Sequence, residues 1–280
     1  MNPIAGPESF RRVLLPLEAE GAHSALLENA ARLARSLELA LVGLYVEDAD
    51  LVAFADLPIA HQITSTAARV SGLNRVSLAR HFEGEKARLL RRLTQVAAMA
   101  EVRHEFILRR GRPRQEIRKA ALRYDILAVG GRNALLAGNA QGLLACAATA
   151  LLFVPESPRA GAGPVAVVAS AGQVGGRLID LAARIAVRQG RALRLLAAGS
   201  TATFGAAYQK GLRDLAAPLP QDAAQLVAEA ARMPLAGLAG PGPGLVVTDV
   251  HSARQEGNRW IESGTPLLVV RNDTETAGDG

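Results

Sequence analysis

The sequence predicts an α/β protein of two tandem, doubly wound, Rossmann-like domains, each with a parallel sheet. The prediction depends on a long internal repeat, on apolar runs that alternate with amphipathic helices, and on a Pro/Gly-rich connector between the copies. Residues 13–34 (VLLPLEAEGAHSALLENAARLA) align with residues 165–186 (VAVVASAGQVGGRLIDLAARIA) at an offset of 152 without a gap. A repeat of this length indicates that one structural unit occurs twice.

The order of elements is the same in both copies. Each starts with an apolar run and a turn, and apolar residues at helical spacing follow. A second apolar run comes next, at residues 41–46 (LVGLYV) and 193–197 (LRLLA). Each copy ends with two more runs, DILAVGG and LLFV in the first and GLVVTDV and LLVV in the second. Fully apolar strands that alternate with helices indicate parallel sheets covered on both faces, and right-handed crossovers make each sheet doubly wound.

The connector PESPRAGAGP at residues 155–164 separates the copies and places the domains at residues 8–156 and 162–272. The first domain is longer because it carries an insertion after its second strand. That insertion contains LYVEDADLVAFADLPIAHQI and a stretch around residues 81–100 with one apolar stripe, which predicts a helix. We expect the insertion, residues 47–100, to form a lid or a surface for a partner.

The composition predicts a cytoplasmic protein without membrane insertion. A length of 280 residues suits two domains. Cys146 is the only cysteine, so no intrachain disulfide can form, and its apolar surroundings favour a buried position. The N-terminal segment lacks the apolar core of a signal peptide, and the longest apolar run, residues 143–154, is too short to span a bilayer.

Basic residues concentrate in one stripe. Residues 86–123 hold twelve Lys/Arg and three Glu, in a chain whose net charge is +6. Such a stripe is compatible with a nucleic-acid or anionic-surface binder, which stays an alternative function. No aromatic residues lie between the arginines to stack on bases, so the favoured interpretation is a pair of solvated helix faces, with nucleic acid not expected as a partner.

The order of these motifs resembles the tandem form of the universal stress protein family. VLLPLEAE resembles the family's first strand and turn, where Asp is usual at the position of Glu18. LYVED resembles its second strand, ILAVGG its fourth, and TALLFVP and GTPLLVVR its fifth. The resemblance implies an adenine nucleotide alpha-hydrolase-like fold and an intramolecular pseudo-dimer through the fifth strands. It also implies a non-enzymatic role in stress response or regulation, exerted through an unknown protein partner; a homodimer stays open.

ATP-binding members of the family carry G-x2-G-x9-G-[ST] after the fourth strand, where glycines let backbone amides approach the phosphates. Gly130 matches the first glycine, and Asn133 falls on the second. The last pair falls on Leu143-Leu144 or, in a shortened loop, on Gly138-Asn139. The resemblance therefore implies these candidate nucleotide-binding residues: Pro16, Leu17, Glu18, Val46, Val129, Gly130, Gly131, Arg132, Asn133, Gly138 and Asn139.

Any ATP is expected in the first domain, and none in the second. Ser170 stands at the position of Glu18, and Asp249 stands at that of Gly130, where a carboxylate would repel phosphate. We expect a short loop at residues 251–258. For the first domain two alternatives stay open: Gly130 and Gly131 only end a strand tightly, or the chain is an ATP-binding switch with slow hydrolysis.

The sequence shows no catalytic or metal-binding motif. P-loop and GxGxxG patterns are absent, and the histidines lack metal-ligand spacing. An acidic group that precedes His61 would suit a cation, but helix capping by Asp48 or Asp50 is favoured. This acidic group consists of Glu47, Asp48, Asp50 and Asp56. We therefore predict no catalytic residue and no metal, and a protein that is not an enzyme, with weak ATPase activity left open.

Overall fold

The computed structural model describes residues 10–17, 24–55, 57, 61–64, 69–72, 75–122, 125–130, 150–158, 163–169, 176–197, 221–225 and 243–271. The helices are α1 (Ser24–Ser36), α2 (Ala49–Phe54), α3 (Arg75–Ala100), α4 (Pro113–Ala120), α5 (Gly176–Arg188) and α6 (Val250–Glu262), with a helical turn at residues 221–225. The strands are β1 (Arg12–Leu17), β2 (Ala40–Asp48), β3 (His61–Thr64), β4 (Arg69–Gly72), β5 (His104–Gly111), β6 (Asp125–Gly130), β7 (Ala150–Val154), β8 (Val165–Ala169), β9 (Leu193–Ala197), β10 (Leu245–Asp249) and β11 (Leu267–Val270).

Nine strands form one sheet in the order β5-β2-β1-β6-β7-β11-β10-β8-β9, and β3 pairs with β4 in a separate hairpin. We call β5, β2, β1, β6 and β7 the first half of the sheet and β11, β10, β8 and β9 the second half. Neighbours within each half are parallel, and β7 meets β11 antiparallel. The carboxyl ends of the strands therefore lie at opposite edges of the sheet in the two halves.

The two halves share one register. Val13 pairs with Leu41 in the first half, and Val165 pairs with Leu193 in the second, at an offset of 152 in both strands. The ladder of β1 with β6 and the ladder of β8 with β10 correspond in the same way: Val13↔Ile126 matches Val165↔Leu245. Equal register keeps equivalent side chains on equivalent faces of the sheet.

Helices cover both faces of the sheet, as the apolar strand runs predict. One core cluster packs alternate strand residues such as Val13, Leu15 and Ile126 against α1, α3 and α5. The other cluster packs residues such as Leu14 and Leu127 against α4 and α6. Alternation along each strand divides the side chains between these two layers. The expected doubly wound α/β fold is confirmed.

The two halves join through a symmetric seam. Strand β7 pairs with β11 over four residue pairs, from Ala150↔Val270 to Phe153↔Leu267. At the offset of 116 that aligns these strands, Leu268 is the counterpart of Leu152, and the two are paired with each other. The pairs Leu151↔Val269 and Phe153↔Leu267 exchange under the same offset, so the seam has the register of a two-fold contact.

Two local expectations are wrong. Residues 104–111 of the basic stripe form the strand β5, which pairs with eight residues of β2, and not the face of a helix. Residues 251–258 lie inside the helix α6 and not in a short loop, because α6 begins directly after β10. The helix expected around residues 81–100 is present as α3.

Candidate functional site

The strand order reverses beside β1, which lies between β2 and β6. Open α/β sheets bind ligands at such a switch point, outside the carboxyl ends of the strands. The β1–β6 ladder stops at Leu14↔Leu127, although each strand continues for three more residues. The β8–β10 ladder also stops after three pairs, at Val167↔Val247. Since Val168 replaces Pro16 there, the topology and not the proline separates the strand ends.

The structure brings the described candidate residues to the switch point of the first half but divides them between two faces. Leu17 lies in the core cluster on the α1 side, and strand alternation puts Gly130 on that side too. Val46 and Val129 pack against the other core cluster, and Pro16 shares their face by alternation. A ligand at the edge of the sheet would therefore contact both sets.

Gly130 makes room for a side chain of α1. A Cβ at Gly130 would lie 3.0 Å from Cδ2 and 3.5 Å from Cβ of Leu26, which is itself buried. A side chain at this position would require Leu26 to shift, so the glycine lets α1 pack this closely on the end of β6 without rearrangement. The glycine therefore has a packing role whether or not phosphate binds above it.

Asp249 occupies the corresponding position in the second half, and there it caps a helix. Its Oδ1 accepts a hydrogen bond from the backbone N–H of Ser252 at 2.6 Å, in the first turn of α6. Side-chain oxygens at the N-cap satisfy amide groups that a helix leaves unpaired, and a carboxylate also suits the positive end of the helix dipole. The position aligned with Gly130 thus carries the protein's own anion.

Several candidate residues lie outside the described residues. These are Glu18, Gly131, Arg132, Asn133, Gly138, Asn139 and Ser170. Cys146 and Asp56 also lie outside them, and the side chain of His61 is not described.

The amino ends of β1 and β6 are held by a buried ion pair. Arg12 donates from Nε and Nη2 to the two carboxylate oxygens of Asp125, at 3.0 and 2.9 Å. Arg12 also donates to the carbonyl of Ala120, and Asp125 accepts from the backbone of Leu122. The hydrogen bond to Asp125 raises the pKa of Arg12, against a smaller opposing effect of burial. This ion pair connects β1 to β6 at the edge of the sheet opposite the switch point.

Carboxylates pair with much of the basic stripe. At least six of the cations that the structure describes in it form salt bridges with Glu47, Asp50, Glu83, Glu85 and Glu116. Four of these acids precede residue 86, so a count along the stripe alone overstates its charge. The paired cations are Lys86, Arg88, Arg109, Arg110, Arg112 and Lys119. Binding of nucleic acid or an anionic surface stays an alternative function, which a salt titration would test.

Three members of the acidic group, at the end of β2 and the start of α2, have structural roles. Asp48 caps α2 by accepting from the backbone N–H of Asp50 at 2.9 Å, so the favoured interpretation is confirmed. Glu47 pairs with Arg110, and Asp50 pairs with Arg112. Within the described ranges, His, Cys, Asp and Glu side chains form no group that would hold a metal ion.

Sequence reasoning missed a cleft between the two halves. It lies between α1 and the turn that follows α5, and its polar lining comprises Asn29, Arg32, Gln189 and Arg191. The two pairs of residues are about 160 positions apart, so no local pattern links them. The only signal in the sequence was that Asn29 and Arg32 lie in the first helix of one repeat, and that Gln189 and Arg191 directly follow the equivalent helix of the other.

No helix among the described residues combines the length and apolar character needed to cross a membrane.

No family model and no curated protein sequence matches the chain. Solved structures do match it. A universal stress protein from Archaeoglobus fulgidus DSM 4304 superposes with a TM-score of 0.57 at 14% identity, over 94% of this chain and 98% of that one. A provisionally assigned universal stress protein from Pseudomonas aeruginosa UCBPP-PA14 superposes with a TM-score of 0.52 at 12% identity, over 95% of this chain and 94% of that one. A functionally unknown protein from Pseudomonas aeruginosa PAO1 gives the same values. These likenesses confirm the expected fold over nearly the whole chain.

Proposed function

We propose that this chain, which has the fold of universal stress proteins, is a non-enzymatic stress-response or regulatory protein whose nucleotide binding is confined to the first half. The contrast between the two switch points carries the proposal. Gly130 presents no side chain toward the crevice, whereas Asp249 presents a carboxylate that α6 has already bound. A phosphate beside Asp249 would face like charge in a buried site, which is costly.

We infer that the two halves act as an intramolecular pseudo-dimer. The register of the β7–β11 seam supports this, because Leu152 pairs with its own counterpart Leu268. A closed two-fold contact of this kind uses the same surface from both units. One unit can then serve as a scaffold while the other keeps a ligand site.

We propose the start of the insertion as the surface that contacts a protein partner. Leu51 and Phe54 of α2 and the following Leu57 are 38%, 43% and 47% exposed. Large apolar side chains that cluster on a surface often mark an interaction site. The neighbouring ion pairs of Asp50 with Arg112 and of Glu47 with Arg110 would form a polar rim to that surface.

Calorimetric titration of the full chain with ATP tests the nucleotide proposal. We expect one site per chain, lost in Gly130→Asp and kept in Asp249→Asn, which preserves the cap. Because Leu26 lies against Gly130, the double variant Gly130→Asp with Leu26→Ala provides space and separates charge from packing. Two sites, or unchanged affinity in both Gly130 variants, would contradict the proposal.

Phosphate release in the same samples tests the alternative of a hydrolysing switch. A non-enzymatic protein is expected to release phosphate from ATP no faster than buffer does. Turnover that disappears in Gly130→Asp would favour the switch instead. Mass spectrometry of ligand released from protein purified without added nucleotide gives an independent measure of occupancy.

A further inference from the structure

We propose that the open edge of β5 binds an extended, acidic segment of a partner protein, which adds to the sheet as a further strand. β5 is the last strand on its side of the sheet, and it pairs with β2 in an unbroken parallel ladder from Leu41↔His104 to Asp48↔Gly111. Within the described residues, no strand pairs with its other side. Such an edge is a template for a strand from another chain. The proposal rests on β5 and α3 and does not depend on nucleotide binding or on the surface at α2.

Every second residue of β5 directs its backbone groups to the open side. The backbone N–H of Leu41 donates to the carbonyl of Arg103 at 2.8 Å, just before β5 begins. Backbone groups alternate in direction along a strand, so Glu105, Ile107 and Arg109 also direct theirs toward β2. The residues between them direct their N–H and C=O groups away from the sheet; these are His104, Phe106, Leu108 and Arg110. An added strand would form its hydrogen bonds with this second set.

The side chains of β5 are accessible, in contrast to those at the other end of the sheet. Leu108 is 44% exposed. Phe106 lies on the same face of the strand and is partly buried against a core cluster. At the opposite end, Leu193, Leu195 and Leu196 of β9 are buried. Of the two end strands, β5 is therefore the one that presents apolar side chains to a partner.

The helix α3 adds an exposed leucine beside this edge. Thr94 Oγ1 of α3 lies 3.1 Å from His104 Nε2, so this side of the helix faces the start of β5. A short connection joins α3 to β5, and the two elements run in opposite directions. Leu90 lies one turn before Thr94 and is 41% exposed. Since one helical turn and two strand residues both span about 6 Å, Leu90 lies at the level of Phe106, where an added strand would cover it.

The charge of the edge selects an acidic occupant. Arg103, Arg110 and Arg112 are exposed, and the only acidic residue of β5 is Glu105. Glu47 accepts from Nε and Nη2 of Arg110, which leaves Nη1 for a second carboxylate. Two copies of this edge would carry the same positive charge, which opposes their pairing. The edge therefore favours an acidic segment of another protein over a second copy of this chain.

Fluorescence anisotropy with a labelled peptide and the full chain tests the proposal. The probe alternates glutamate and valine over eight residues, to match the paired length of β5, and a lysine–valine peptide is the charge control. We expect saturable binding of the acidic probe and binding of the basic one that is weaker by about tenfold or more. Arg103→Gln should weaken the acidic probe about threefold. The matched control Arg254→Gln, on α6 in the second half, should bind as the wild type does.

Two substitutions at Leu108 test pairing through the backbone. Leu108→Pro removes an N–H on the open side and no hydrogen bond to β2, which an edge strand tolerates. We expect it to weaken the acidic probe about tenfold. Leu108→Ala keeps the N–H and should weaken binding less. Circular dichroism melting of each variant confirms that a loss of binding occurs in folded protein.

Amide hydrogen exchange, measured by NMR on the wild type, tests the geometry without any substitution. Bound acidic probe should add protection at His104, Phe106, Leu108 and Arg110, and not at the residues between them, which β2 already protects. The proposal would be overturned by the absence of saturable binding, by equal binding of the basic probe, by unchanged binding in Leu108→Pro, or by protection that does not alternate. A dimer in sedimentation that Leu108→Pro dissociates would also overturn it, because a second copy would then occupy the edge.

Discussion

The two halves of the sheet share strand order and register around their switch points, yet they differ in how each switch point is built. In the first half Gly130 leaves space that Leu26 of α1 fills. In the second half Asp249 fills the corresponding position with a carboxylate and begins α6. The equivalent strand position thus holds a glycine against which α1 packs in one half and a helix-capping carboxylate in the other.

The opposite ends of the same strands differ as well. In the first half the side chains of Arg12 and Asp125 join β1 to β6. Their counterparts are Pro164 and Gly244, and there the backbone N–H of Gly244 donates to the carbonyl of Pro164 at 2.9 Å. A backbone hydrogen bond therefore links β8 to β10 in the second half at the place where a buried ion pair links β1 to β6 in the first. Loss of charge should therefore affect the first half more than the second.

The largest expected effect tests that ion pair. Asp125→Ala leaves Arg12 largely buried without its partner, and we expect a loss of about 3 kcal/mol in the free energy of unfolding. Asp180→Ala is the control, because its ion pair with Arg184 is on the surface and should contribute less than about 0.5 kcal/mol. Urea denaturation measures both. Equal effects would show that the buried pair contributes no more than the exposed one.

A second prediction concerns how the first half accommodates α3. A Cβ at Gly43 would lie 2.8 Å from Leu17 Cδ1 and 2.8 Å from Leu93 Cδ2. The counterpart in the second half is Leu195, which fills its own space. Gly43→Ala should therefore destabilise the protein by about 1–3 kcal/mol through overpacking.

Gly84→Ala is the control for Gly43→Ala. Gly84 lies in α3 with nothing near its Cβ position, so alanine there should stabilise the helix by up to about 1 kcal/mol. Opposite signs for the two substitutions in thermal denaturation support the packing argument. A Gly43→Ala protein as stable as the wild type would refute it.

A third prediction tests the cap of α6. Asp249→Ala removes the acceptor of the Ser252 amide and should cost about 1 kcal/mol, whereas Asp249→Asn keeps an N-cap and should cost less. Chemical denaturation of both variants is the measurement. If asparagine and alanine cost the same, the carboxylate acts through its charge and not through the cap.

The smallest effect concerns acid. Hydrogen bonds from Lys119 and Arg109 lower the pKa of the buried Glu116 from its ordinary value, the Lys119 bond most. A depressed carboxyl pKa stabilises the fold above the pKa of the unfolded chain, and that contribution is lost as pH falls through the folded pKa. Hydrogen exchange across mildly acidic pH should show β5 and α4 losing protection before β8 and β9 do. In Glu116→Gln this difference should no longer depend on pH.

Much of the fold could be predicted because its signals are local or repeated. The apolar runs predicted the positions of β1, β2, β6, β7 and β8 to β11, because strands buried on both faces are made of mostly apolar residues. Strand β5 was missed because it is an edge strand with exposed arginines, and only its hydrogen bonds with β2 identify it. Helix α6 was predicted to be a loop because its sequence is rich in polar residues and its N-cap, Asp249, was not recognised.

The sequence alone determined the strand runs, the helices α1, α3 and α5 and the contrast between Gly130 and Asp249, because periodicity and a gapless repeat are properties of neighbouring residues. Only the tertiary structure decided which charges meet. Arg110 donates to Glu47 across adjacent strands. Gln189 donates to Ser36 across the two halves, although 153 positions separate these two residues. The cleft between α1 and the turn after α5 exists for the same reason: its lining comes from segments that only the folded sheet brings together, and no spacing along the chain records that distance.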